Sequence, residues 1–223
     1  PEDLVNDLLC RAQYDGPLAM PILGEAASIR AYTREDILAF FRRHYITPRV
    51  VVSACGAFDP QALLRLLEDA FSDMPRAGET AGAAPTALAS RRLARDKDTE
   101  QAHLCISVPA VSCHDDRRHA QAMIDSVLSS GMSSRLFQEI REKRGLVYSV
   151  FGYFRGYEDI GQGVVYAGTD IDRVEEAAGA ILDELRKLRD EPIGAEELAR
   201  NKELRKGRLL MSLEDSRSVA GWV

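Results

Sequence analysis

Nowhere does this chain hold the roughly 18 uninterrupted apolar residues that a membrane-spanning helix needs. Nor does its N-terminus show the basic segment and apolar stretch of a signal peptide. It opens Pro1-Glu2-Asp3-Leu4, which reads like the middle of a gene product, so the missing address says little about an intact protein. Positive charge is not in excess either. The 29 Lys and Arg are outnumbered by 35 Asp and Glu, and the net charge of −6 gives no general pull toward nucleic acid. Basic clusters such as Arg91-Arg92 with Arg95, or Arg141 to Arg144, are interleaved with acids and read as solvated faces. Cysteine is scarce: Cys10, Cys55, Cys105 and Cys113 form no CxxC pair. A chain of 223 residues needs no disulfide staples, and reduced thiols in a cytosol-like compartment are expected. Cys55 and Cys105 lie in apolar strand-like runs, where cysteine acts as a small hydrophobe.

The chemistry-bearing motifs are sparse as well. There is no G-x-S-x-G, no P-loop and no dinucleotide fingerprint; Gly161-Gln162-Gly163 is hairpin punctuation. A zinc-peptidase helix requires two histidines one turn apart and a glutamate. His114 and His119 are five residues apart, about 140° on a helix, and read as exposed polar residues at a helix start. His44 and His103 have no partner nearby in sequence. No zinc site assembles from local sequence, so none is expected to be bound by this chain.

What is present is a patterned globular sequence, 45% hydrophobic and 29% charged. Leu4, Val5, Leu8 and Leu9 give residues 2–14 one apolar helical face. Thr33 and Asp36 predict a capping box for a helix along Ile37, Phe40, Phe41 and Tyr45, ended by Pro48. Val50-Val51-Val52 up to Gly56 predicts a short buried strand, and Asp59-Pro60 the start of the next helix. Residues 75–90 lose all periodicity and are rich in Ala, Gly and Pro, as a linker would be. Beyond them, Leu104, Ile106 and Val108 alternate as in a strand, and Ala120 to Leu128 fit a helix. A further helix starts at Ser133. Then 146–154 and 163–169 form a hairpin, a helix follows Asp170 or Asp172, and a last one runs from Ala195 past Leu213. Hairpin strands beside several helices predict an α+β fold, with antiparallel sheet and helices packed on one face in each of two lobes.

The run from Ser129 to Val150, SSGMSSRLFQEIREKRGLVYSV, resembles the non-catalytic half of M16 metallopeptidases. That family includes the mitochondrial processing peptidase, pitrilysin-like proteases and insulin-degrading enzyme. Pro21-Ile22-Leu23-Gly24 with Ser28-Ile29, the Tyr45 to Gly56 segment and Glu100 to Leu104 match further pieces in the family's order. Ser129-Ser130 stands where the family has glycine. The resemblance implies the rear of a catalytic-type domain at 1–74, a linker at 75–90, and the front of a substrate-binding domain at 91–223. It also implies that both lobes are incomplete. The zinc motif HxxEH and the downstream glutamate ligand would precede Pro1, so the intact protein would be a zinc endopeptidase acting on peptides or unfolded segments, and this chain would be inactive by itself. Arg141 and Tyr148, seven residues apart, match the pair that reaches substrate across the family's chamber. Glu196 and Glu197 at a helix start suit the helix dipole and need no other role.

The alternative is a non-catalytic M16-like partner subunit or scaffold; a generic α+β binding module would leave 129–150 unexplained. Expected partners are a peptide substrate and a missing catalytic half or homologous M16 subunit, in a homo- or heterodimer, with no nucleic acid and no membrane. The expected compartment is the cytoplasm, with the mitochondrial matrix or periplasm as alternatives.

Overall fold

The computed structural model describes residues 2–76 and 86–222, so part of the expected linker, residues 77–85, lies outside the described residues. In chain order the helices and strands begin with α1 (Glu2–Gln13), β1 (Tyr14–Asp15), α2 (Ala26–Ala31), α3 (Arg34–His44) and α4 (Pro60–Ala70). Then come β2 (Ala87–Leu88), β3 (Ala102–Ala110) and α5 (Arg118–Ser129), followed by a π-helix (Leu136–Glu142). The chain continues with β4 (Val147–Gly156), β5 (Gly161–Thr169), α6 (Val174–Asp190), α7 (Ala195–Ser212) and α8 (Ser216–Ala220). The fold is α+β, and both sheets are antiparallel.

Contacts divide the chain into two units. One takes in the described residues up to Ile22 and from 86 to Arg205; the other takes in Leu23 to 76 and those from Lys206 onward. The first unit is organised by a three-stranded sheet with β5 in the middle, β3 and β4 flanking it. Every residue of β5 is buried. A central strand covered on both faces must shed water from both, and the two sides here are unlike. Leu104, Ile106, Val150 and Phe154 pack with Val165 and Ala167 onto Leu128, Leu136, Ile140 and Ile181 of α5, the π-helix and α6. The opposite face meets α1, where Asn6 accepts from the Tyr153 hydroxyl and Gln13 accepts from buried Gln162 at 2.6 Å. The bond gives the buried Gln162 amide nitrogen its acceptor, whereas Gln13 Nε2 has no hydrogen-bond partner among the described residues. β1 pairs with β2, Tyr14 opposite Leu88, and Arg91 bridges to Asp15 and the carbonyls of Arg11 and Tyr14. Residues on both sides of the undescribed stretch are thus held in different units.

The second unit is helical. The expected capping box at Thr33 and Asp36 is present, and Asp59 caps α4 through the Gln61 and Ala62 amides. Ile46 is its one buried hydrophobic among the described residues, and Thr47 donates through both N–H and hydroxyl to the Pro75 carbonyl. The predicted strand at 50–56 is not formed. Val51 is 81% exposed, Cys55 is exposed rather than packed, and no described strand pairs with this run. β-Branched residues favour a pleated, half-buried surface, and without a neighbouring strand that preference has nothing to act on. The apolar stripe of α3 (Ile37, Phe40, Phe41) is likewise solvent-facing. No described helix is long and apolar enough to cross a membrane.

Helix α6 separates the two kinds of position well. Ile181 is fully buried against the sheet, whereas Gly179 is exposed with nothing within 4 Å of where a Cβ would stand. Ile181→Ala should cost about 2–5 kcal/mol, and Gly179→Ala should gain about 0.5–1 kcal/mol from helix propensity. Urea unfolding of the two variants beside the unchanged chain measures both shifts.

Candidate functional site

The 129–150 run folds as one continuous support. After α5, Gly131 turns the chain and the Ser134 amide closes that turn on the Gly131 carbonyl. The predicted helix then forms, but as a π-helix, with the Lys143 amide reaching back five residues to the Gln138 carbonyl. Single π-turns are uncommon and cluster at functional positions. The widened turn still presents Leu136 and Ile140 to the core. Arg141 sits on the outer side, its guanidinium carbon 5.1 Å from the Phe137 ring centre. That stacking restricts a side chain that would otherwise sample many rotamers.

The helix stops at Gly145, whose φ of +56° is unfavourable for other L-residues. The Gly145 and Leu146 amides close on the Arg141 and Ile140 carbonyls, and buried Leu146 passes its own carbonyl to the Thr169 hydroxyl at 2.6 Å. Arg173 donates to the Gly145 carbonyl at 2.8 Å. The connection between the π-helix and β4 is therefore pinned from both sides.

Tyr148 is the next consequence. Val147 pairs with Thr169 and Ser149 with Gly168, so Tyr148 is an extra residue opposite no partner, a β-bulge. Alternation makes this important. Val150 and Phe154 point into the helix-covered core, and in a regular strand Tyr148 would share their face. The bulge resets the phase: Val147 enters the core and Tyr148 is left 55% exposed. Arg141 and Tyr148 thus both lie on the surface of the same unit, on elements joined by a fixed turn, and Tyr148 borders a small hollow lined also by Gly145 to Val147, Asp170 and Arg173.

A different pair secures the front of the π-helix. Arg135, just before it, makes a two-pronged contact with Glu197 in the first turn of α7, at 2.9 and 2.6 Å. Both side chains are largely buried, 18% and 23% exposed. Sequence reading assigned Glu197 to helix-start electrostatics alone and missed this. The available signal was an arginine directly before the apolar pair Leu136-Phe137, where a partly buried guanidinium needs an acid. Next to it, Asn201 accepts from buried Ser126 at 2.8 Å and donates to the Glu197 carbonyl.

The four histidines do not converge. His103 bonds the Tyr166 hydroxyl at 2.8 Å, His44 accepts from Arg49, and His119 is exposed near the start of α5, as the sequence suggested. His114 instead meets Glu158 at 2.7 Å, with the Cys113 thiol close by, a grouping that sequence reading overlooked because His114 and Glu158 stand 44 positions apart. All four cysteines are free, and burial pushes the Cys105 thiol up to about 12.

Comparison with known proteins bears on the chain as a whole. The family described as "Peptidase M16 inactive domain" matches residues 31–205. An uncharacterized zinc protease of Bacillus subtilis, YmxG, is 33% identical over 98% of this chain and 53% of its own length. One from Streptomyces coelicolor is 34% identical over 97% of the chain and 49% of its own length. In fold, the chain is similar to a protease from Helicobacter pylori with a TM-score of 0.89, and to a peptidase M16 inactive domain from Pseudomonas fluorescens with 0.87. Each of these structures is 22% identical and is covered to 55% and 54% of its length. The α+β fold is shared with these solved neighbours. The chain belongs to the M16 peptidase family. It spans about half the length of the curated relatives it matches.

The Arg135–Glu197 contact is testable through pH. Hydrogen bonds from Arg135 hold the Glu197 carboxyl below its ordinary value of 4.5. A depressed folded-state pKa contributes stability that is present above about 4.5 and is lost as pH falls through the lower folded value. Glu197→Gln should therefore cost about 1.5–3 kcal/mol at neutral pH, and this penalty should shrink below pH 4.5. Unfolding curves of both proteins across that range measure it.

Proposed function

We propose that this chain is the substrate-binding portion of a zinc-dependent endopeptidase, and that Arg141 and Tyr148 are its substrate contacts. One observation carries the reading: Arg141, exposed on a π-helix, and Tyr148, exposed by a bulge, stand on two irregularities of backbone within the stretch that the family matches. A planar guanidinium donates two parallel hydrogen bonds and a phenol one, which suits a peptide carbonyl or the oxyanion formed when it is attacked. The relatives' names imply zinc for the intact protein. The histidines of this chain do not fit the pair-plus-glutamate arrangement of a zinc peptidase, since none stands one turn from another. The hydrolytic machinery is accordingly assigned to the remaining half of the relatives' length, and this chain to holding peptide. Its partners on this reading are an extended peptide and a catalytic M16 half, supplied by the same polypeptide or by a homologous subunit.

Steady-state kinetics with a peptide substrate, run on the full-length polypeptide that carries this chain, provide the test. Tyr148→Phe should lower kcat/KM by up to about 10²–10³-fold, the loss of one oxyanion-type donor. Arg141→Lys should also be harmful, because lysine keeps the charge but not the planar fork. Both variants should keep their melting temperature and zinc content. Unchanged kcat/KM in both would defeat the assignment. Residues 1–223 alone should hydrolyse no peptide when zinc is added; turnover there would place the catalytic groups in this chain instead.

A further inference from the structure

Among the described residues, one group of three metal-type donors converges: Cys113, His114 and Glu158. The thiol, a ring nitrogen and a carboxylate oxygen all lie within 4.8 Å of one another, with His114 Nε2 at 2.7 Å from Glu158 Oε2. Two loops supply them, the one leaving β3 and the turn between β4 and β5. The main chain holds these loops together. The Cys113 amide donates to the Tyr157 carbonyl at 2.9 Å, and the Tyr157 amide to the Ile160 carbonyl at 2.7 Å. Gly156 approaches so near that a Cβ there would stand 2.9 Å from the Cys113 nitrogen, so only glycine permits this contact. Backbone geometry thus fixes the relative placement of the donors, while all three side chains remain exposed and able to adjust.

The neighbouring acids are already engaged. Asp115 is held by Arg117 at 2.7 Å, and Asp159 accepts from the Thr86 amide at 2.6 Å. Glu158 is left with His114. We propose that Cys113, His114 and Glu158 bind a divalent transition-metal ion of the zinc type, with water in the fourth position. Sulfur, imidazole nitrogen and carboxylate oxygen together suit a borderline-soft cation and not a hard one such as magnesium or calcium. Zinc bonds of about 2.0–2.3 Å at tetrahedral angles separate the donors by roughly 3.3–3.6 Å. Closing the thiol inward and parting the imidazole from the carboxylate require shifts on the order of 1 Å, which exposed rotamers allow. This site is independent of the role given to Arg141 and Tyr148.

The test uses the full 223-residue chain, free of any tag and kept reduced, titrated with cobalt(II) alone and then with zinc. Cobalt should produce a thiolate-to-metal charge-transfer band and the intense visible bands of four-coordinate cobalt, and one equivalent of zinc should abolish them. Cys113→Ser should remove the charge-transfer band. His114→Gln and Glu158→Gln should weaken binding by about 100-fold or more, since losing even a residue behind a ligand costs 10–100-fold. Cys10→Ser and Cys55→Ser should leave the titration unchanged. No charge-transfer band in the unsubstituted chain, or a band that survives Cys113→Ser, overturns the site and leaves a surface His114–Glu158 hydrogen bond beside an uninvolved thiol.

Discussion

Everything in the first unit depends on burying β5. A strand with both faces and both edges covered must have every backbone group paired and every side chain matched to a neighbour. Its two partners both precede it in the chain, β4 joined by a short turn and β3 from farther back, and all pairings are antiparallel. Once that ladder forms, α5, the π-helix and α6 have one apolar face to cover, and α1 has the other, more polar one. The surface carrying Arg141 and Tyr148 follows from how the chain enters this ladder at its β4 end.

Much of the architecture was readable because local signals agreed with tertiary demands. The alternation of Leu104, Ile106 and Val108, the glycines between the hairpin strands and the capping box at Thr33 and Asp36 each specify an element from local sequence. Val50-Val51-Val52 failed because strand propensity is a property of a paired strand, and the described residues offer it no partner strand. The stripe on α3 shows the same limit. An amphipathic helix announces that a face suits burial without saying what buries it.

The candidate site was legible as two residues and illegible as geometry. Arg141 and Tyr148 could be named from a resemblance, but a π-turn depends on how Leu136 and Ile140 fit the sheet, and a bulge depends on the partner strand's register. Neither leaves a mark in local composition. The Arg135–Glu197 contact and the cluster around Cys113 were hidden for a different reason. Each joins positions far apart in sequence, and hydrogen-bond partners of that kind are set by the fold, not by spacing.

The bulge also changes what Tyr148 means to the chain that carries it. Every other residue of β4 keeps step with β5, so removing any one of them would throw the remainder onto the wrong face. Tyr148 alone stands outside that count. Deleting it would join Val147 to Ser149 as regular neighbours, with Thr169 and Gly168 already waiting opposite. The sheet therefore treats this position as surplus, and the phenol can be lost or regained by insertion and deletion while the core beneath keeps its pairing. Whatever holds a residue there answers to something other than folding.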